Sequence, residues 1–233
     1  MTVKLMNSGK GPHGAQLVRI LGKHTIIQAL MQVGGHNTKT PSWLHAEGGI
    51  GLADPGTSAS AMVDLPAGNY AIVDVAGAQS GSGGPPAFAP LTVTSGQSAP
   101  VPASATTVTA TAPSKDHYKW QIAGSPLMVG ANNVTFVSKG TQTLHLLDAI
   151  RITGNPSSAK IIKDLSSNSN GPPPSYIDPS TEIQTAELDN GKSLSTRVTL
   201  SKPGTYLLFC HLRDRNGGKP HYAEGLLSRI TVK

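Results

Sequence analysis

The sequence predicts an all-β protein built as two Greek-key β-sandwich domains in tandem, and three observations predict it. The first is composition. Among 233 residues there are 26 glycines and 18 prolines, and only 14% of positions are charged. Turn formers and β-branched Thr and Val are common while Leu, Glu, Lys and Arg are sparse, which disfavours a helical bundle or coiled coil. The second is a series of short apolar runs set apart by turn signals. The third is that the chain repeats itself.

Around His13 the chain reads NSGKGPHGAQLVRI, and around His145 it reads SKGTQTLHLLDAIRI. Each has a glycine-containing turn, a histidine, and then Arg-Ile, at Arg19-Ile20 and Arg151-Ile152. Further on, LPAGNYAIVDVAG answers SKPGTYLLFCHLR, with Gly68 and Tyr70 matching Gly204 and Tyr206. The two landmarks recur in the same order at offsets of 132 and 136 residues. Two homologous domains follow: residues 1–97, a linker at 98–113 rich in Ser, Thr, Ala and Pro, and residues 114–233.

In the second domain, strands are expected at 118–122, 133–137, 144–152, 196–200, 206–212 and 226–232. Turns at Gly154-Asn155-Pro156, Lys202-Pro203-Gly204 and Asn216-Gly217-Gly218 separate several of them, and residues 166–181 read as a long loop or irregular insertion. Many short strands with turn-rich connections suit a Greek-key sandwich. The first domain has only 12 residues ahead of His13, so its opening strand is expected to be missing.

The formal charge is +6, but the positive residues are scattered and aromatics total only 4%, which argues against nucleic-acid binding. No apolar run approaches the roughly 18 residues of a membrane span. The opening MTVKLMNSGKG lacks the apolar stretch of a secretion signal, so the expectation is either a cytosolic protein or a trimmed mature form.

The one cysteine, Cys210, excludes an internal disulfide framework. It can be a small buried apolar residue, a reactive thiol or a soft metal ligand, and the last two need partners. The segment GTYLLFCHLRDRNGGKPHYAEGLLSRITV supplies them: Cys210 ends an apolar run, Asn216-Gly217-Gly218 turns the chain, and His221 follows Pro220. With His145 from the earlier strand, one thiolate and two imidazoles can converge at one end of a sandwich, the composition of a trigonal blue-copper site.

An early histidine after a glycine turn, then G-x-Y-x-x-x-C, then Pro-His, then Gly-Leu before the last strand resembles the cupredoxin family. The resemblance covers the second domain almost entirely and the first more weakly. It implies one copper ion held by His145, Cys210 and His221. The family's axial methionine falls on Leu226, which cannot ligate, so a three-coordinate site with a raised reduction potential is implied. Ser138 departs from an asparagine common in the family ahead of the first histidine. The resemblance also implies single-electron transfer to a redox partner, a periplasmic or extracellular location, and His221 near the surface as the electron port. The net positive charge points to an acidic partner.

In the first domain Asp74 stands where Cys210 should be and Pro85-Pro86 where His221 should be, so no copper is expected there, and His13 reads as a structural histidine bonded to backbone. His211 follows Cys210 directly and should face the other way. His24 and His117 read as surface residues, and His36, His45 and Trp43 lack a second strong ligand motif. Asn133-Val134-Thr135 matches a weak glycosylation acceptor motif, here on an expected strand. Enzyme readings are poor: there are no His-x-His pairs, no nucleophile elbow, and no phosphate or dinucleotide fingerprint in the right context. The rival reading is a metal-free β-sandwich pair serving as a structural or protein-interaction module.

Overall fold

A computed structural model describes residues 1–33, 39–75, 86–95, 99–114, 117–141, 143–167 and 172–233. His36, the glycine-rich loop at 77–84, Pro85 and the Asn170-Gly171 turn lie outside the described residues. The architecture is an all-β sandwich. The strands run β1 (Thr2–Met6), β2 (His13–Ile20), β3 (Leu44–Ala53), β4 (Ser58–Val63), β5 (Gly68–Val73), β6 (Phe88–Val93), β7 (Thr106–Ser114), β8 (His117–Gly124) and β9 (Gly130–Ser138). They continue as β10 (Leu144–His145), β11 (Asp148–Ile152), β12 (Ile177–Gln184), β13 (Leu188–Asp189), β14 (Ser193–Leu200), β15 (Gly204–Phe209) and β16 (Leu227–Val232). Helix α1 (Ile26–Val33) follows β2, helix α2 (Ser158–Ser167) follows β11, and a 3-10 turn covers His221–Glu224.

One six-stranded sheet, β1-β4-β14-β9-β7-β8, is common to both halves of the chain, because β4 pairs with β14 through Met62↔Ser195. Behind it lie the sheets β10-β13-β3-β2-β5-β6 and β12-β11-β15-β16. The order β3-β2-β5-β6 in the first half matches β12-β11-β15-β16 in the second, and in each half a helix follows the second of those strands in space. Strand alternation explains the layering. In β15, Tyr206 and Leu208 enter the core between the sheets, as does Cys210 just after it, while Leu207 and Phe209 pack outward with Ile161 of α2. In the same way Leu17 and Tyr70 face the central core, while Val18, Ile20 and Val73 pack with Ala29 and Leu30 of α1.

The repeated Gly-x-Tyr landmarks are tyrosine corners. The Tyr70 hydroxyl donates to the Pro66 carbonyl, and the Tyr206 hydroxyl to the Lys202 carbonyl at 3.0 Å. The paired arginines work alongside them: Arg19 donates to the Ala67 carbonyl and Arg151 to the Pro203 carbonyl. Each arginine lies across from its tyrosine in register, Arg19↔Tyr70 and Arg151↔Tyr206. Removing one hydroxyl by Tyr206→Phe is expected to lower unfolding free energy by about 1 kcal/mol in urea melts, since one buried hydrogen bond is lost at constant shape.

Three sequence expectations need correction. The linker at 98–113 is only partly a linker, because Thr106–Ser114 is strand β7, inserted between β8 and β9 and parallel to β9. Its Thr and Val side chains are β-prone, and Pro113 falls in the register shift between Thr111 and Ser114, where a missing N–H does least harm. The first half does have a strand ahead of His13, β1, which pairs with β4 as β9 pairs with β14. Among the described residues it is the β7–β8 hairpin that has no counterpart there. Within 166–181, Ser166 and Ser167 end α2 and β12 begins at Ile177.

The halves are also joined by buried polar contacts. Arg215, 6% exposed, forks onto the Asp189 carboxylate and donates to the carbonyls of Pro41 and Leu44, both at 2.8 Å. The Gln16 side chain stands in for a strand backbone, accepting from Glu187 N–H at 2.7 Å and donating to the Glu187 carbonyl at 3.1 Å. No helix among the described residues is long and apolar enough to cross a membrane.

Candidate metal centre

The single strand expected at 144–152 is two strands, and the break positions the first candidate ligand. Leu144 and His145 pair with β13, the chain leaves that ladder at Leu146-Leu147, and β11 pairs with β12 and β15. His145 therefore sits where the chain passes from one sheet to the other, and its side chain is wholly buried. Cys210 comes one residue after β15, on the inward side set by Tyr206 and Leu208. Its sulfur accepts the Leu146 N–H at 3.5 Å, which ties the two segments together.

His221 opens the 3-10 turn after Pro220. Backbone hydrogen bonds lace that turn to the cysteine segment: His221 N–H to the Leu212 carbonyl at 2.9 Å, Tyr222 N–H to the Cys210 carbonyl at 2.9 Å, and Cys210 N–H to the Leu226 carbonyl at 3.2 Å. Gly225 closes the turn at φ 118°, and a Cβ there would come within 2.1 Å of the Tyr118 carbonyl oxygen. Only glycine fits that approach. This gives the Gly-Leu step its physical reason and leaves Leu226 fully buried in the central core.

His145, Cys210 and His221 come together, each wholly buried, with their donor atoms all within 4.8 Å of one another. The two Nδ1 atoms are 3.1 Å apart, and Cys210 Sγ is 3.6 Å from His221 Nδ1. An ion bound at about 2.0–2.3 Å by nitrogen and sulfur spans donor pairs of roughly 3.3–3.7 Å, so the cluster is already close to ligating dimensions. A thiolate with two imidazoles on a rigid β frame suits copper in both oxidation states. Leu226 offers no donor.

Burial controls the protonation of all three. It pushes the Cys210 thiol well above its ordinary range, with the Leu146 and Leu212 backbone offsetting only part. It also lowers His145 to about 3, with the neighbouring His221 lowering it further and the Lys139 backbone opposing. His221 is lowered by burial too, against the pull of Asp214. The imidazoles are therefore neutral and free to ligate. The sign for stability follows: a histidine with a depressed native value stabilises fully above its unfolded value near 6.5 and loses that contribution as pH falls. The metal-free protein is expected to lose stability below about pH 6.5, by up to about 1.4 kcal/mol per pH unit for each such histidine, in denaturant melts run from pH 7 to pH 4.

The other histidines have separate places. His211 faces away from the cluster, its Nδ1 2.6 Å from Asp148 Oδ2. Burial works to lower it, but Asp148 outweighs burial and carries it up to about 9. His13 is not held by backbone as expected; its Nδ1 meets Asp74 Oδ2 at 2.5 Å, and Asp74 Oδ1 accepts the Gly14 N–H at 2.9 Å. A carboxylate answers the histidine because Asp74 comes one residue after β5, just as Cys210 comes one residue after β15. His45 pairs with Asp189 at 3.1 Å, and His24 stacks on Trp43 at 4.0 Å. His24 and His117 are exposed, as is Asn133 on β9.

Two neighbours of the cluster were not singled out by sequence. The Tyr118 ring stacks on His221 with centroids 4.3 Å apart, and Asp214 Oδ1 lies 3.2 Å from His221 Nε2. Tyr118 covers the ring face and Asp214 its outer edge, and His221 is buried, not at the surface as the resemblance implied. The spacing of Asp214 from His221 crosses a turn of unpredictable shape, which left no periodic signal to find it by.

No family model matches the sequence, and no curated protein does. Among solved structures the chain is similar to auracyanin from the photosynthetic bacterium Roseiflexus castenholzii, at 24% identity over 57% of this chain and 99% of that one, with a TM-score of 0.35. It is also similar to auracyanin A, a "blue" copper protein from Chloroflexus aurantiacus, at 17% identity over 55% and 98% with a TM-score of 0.33. A blue copper oxidase from Nitrosomonas europaea matches at 15% identity over 99% and 72%, with a TM-score of 0.27. On its own coordinates the chain is an all-β sandwich whose buried His145–Cys210–His221 cluster supports copper binding.

Proposed function

We propose that this is a mononuclear copper protein of cupredoxin type that passes single electrons to a redox partner outside the cytoplasm. The observation that carries the proposal is the buried cluster of one thiol and two neutral imidazoles with donor atoms within 4.8 Å. His145 and His221 would supply nitrogen and Cys210 sulfur, and copper when bound supplies a one-electron couple. The residues do the rest. Cys210 holds its proton until a metal displaces it, so binding releases a proton from the thiol. The sheets and the hydrogen bonds lacing Cys210 to the His221 turn keep the donors in place through both oxidation states. Leu226, wholly buried in the same core as Cys210, would offer a bound ion no fourth donor. The excess of positive charge supports an acidic partner, drawn by long-range attraction that salt weakens.

The test is titration of the purified chain with Cu(II). One equivalent should bind with an intense thiolate-to-copper absorption, bleached by a reductant and restored on reoxidation through repeated cycles. A colourless product without stoichiometric copper would favour the metal-free interaction module. Leu226→Met gives a graded check: a thioether placed at the axial position satisfies Cu(II) better, so the reduction potential of the copper-loaded variant should fall below wild type in redox titration.

A further inference from the structure

His221 has two ring nitrogens, and the cluster uses one. Its Nδ1 faces His145 and Cys210, while Nε2 meets Asp214 Oδ1 at 3.2 Å. The second oxygen of that carboxylate accepts the Tyr118 hydroxyl at 2.7 Å, and the same tyrosine lays its ring over the imidazole with planes 29° apart. Asp214 is itself fixed by a tight turn, with Gly217 N–H donating to its carbonyl at 2.8 Å. Tyr118 and Asp214 thus form a two-point clamp on the outer side of a wholly buried ligand.

Resting on the copper reading above, we propose that Asp214, held by Tyr118, is a positioning residue for the metal centre: it takes the Nε2–H of His221 and presents a bare Nδ1 to the copper. The chemistry follows from the donor inventory. A neutral imidazole carries one N–H, and an ionised carboxylate only accepts, so a hydrogen bond at Nε2 places the proton there. His221 is therefore in its ligating tautomer before any metal arrives. The bare Nδ1 of His221 can then accept from His145 Nδ1, 3.1 Å away, or from the Cys210 thiol, 3.6 Å away.

The carboxylate has a second consequence. An outer carboxylate raises the basicity of a ligating imidazole, which favours the more highly charged oxidation state of the metal. Leu226 offers no donor, and Asp214 would offset part of what a bound Cu(II) lacks for that reason.

The experiment compares the full chain with Asp214→Ala, Asp214→Asn and Tyr118→Phe. In the metal-free proteins, nitrogen-15 NMR of the histidine rings should show His221 protonated at Nε2 in wild type. Asp214→Asn should retain that tautomer, because the amide oxygen still accepts, whereas Asp214→Ala should lose the preference. On copper loading, Asp214→Ala should bind Cu(II) about 10–100-fold more weakly in a chelator competition, with Asp214→Asn in between and a smaller loss for Tyr118→Phe. The reduction potential should rise in Asp214→Ala and Asp214→Asn. An unchanged His221 tautomer in Asp214→Ala, or Cu(II) affinity within about twofold of wild type, would overturn the proposal. If wild type binds no copper, the copper reading fails, and the tautomer comparison still decides whether Asp214 sets the proton on His221.

Discussion

Cys210→Ser is expected to abolish the visible thiolate-to-copper absorption and stoichiometric copper binding while leaving the fold in place. The sulfur is the only soft donor among the three, and it alone can give a thiolate-to-metal transition. Serine is smaller and its hydroxyl can accept the Leu146 N–H that now reaches Sγ at 3.5 Å, so no donor is orphaned. The cost is that of placing a hydroxyl in a wholly buried position, about 1–3 kcal/mol. Circular dichroism and urea melts should therefore show a folded, modestly weakened protein. His13→Ala serves as the control: its imidazole pairs with Asp74 in the other half, so the band should be intact. A variant that lost the band only because it unfolded would show it in the melts.

Arg215→Ala should have the largest effect on stability, a loss of about 3–5 kcal/mol in urea unfolding. The guanidinium is 6% exposed and serves the Asp189 carboxylate and two carbonyls more than 170 residues away in sequence. Truncation leaves that carboxylate buried with, among the described residues, the half-buried His45 and the Ala46 N–H as partners. Arg215→Lys should recover only part, because one ammonium cannot fork onto Asp189 and also reach both carbonyls. Arg213→Ala, two residues away and exposed, should stay within about 0.5 kcal/mol of wild type. The Arg215 variant should also bind copper less tightly, since Arg215 adjoins Asp214 and anchors the turn between Cys210 and His221.

How much of this could be read beforehand depends on the range of the interaction. Alternation along 204–210 is local, so the inward direction of Cys210 and the outward direction of His211 were legible from the sequence. Gly68-x-Tyr70 and Gly204-x-Tyr206 were legible as a repeat, although their role as corners needs the register with Arg19 and Arg151. The candidate ligands His145, Cys210 and His221 were named from motif order, and the coordinates place their donor atoms together. Sheet sharing was not legible, because the β4–β14 pairing rests on backbone hydrogen bonds that any residues can make. Strand β7 was hidden by its Ser/Thr/Ala/Pro composition, and the break after His145 by a run, Leu144–Ile152, that is mostly apolar on both sides of it. Asp214 and Tyr118 act across turns and between distant strands, where spacing in sequence carries no geometric information.

The central claim is that one copper ion is held by three side chains at the end of the sandwich. The most direct measurement is a crystal structure of copper-loaded protein with anomalous scattering recorded at the copper edge. A single strong peak is expected within about 2.0–2.3 Å of both Nδ1 atoms and Sγ, with Leu226 packed beside it and nothing at His13. A peak elsewhere, or none with copper in excess, would contradict it.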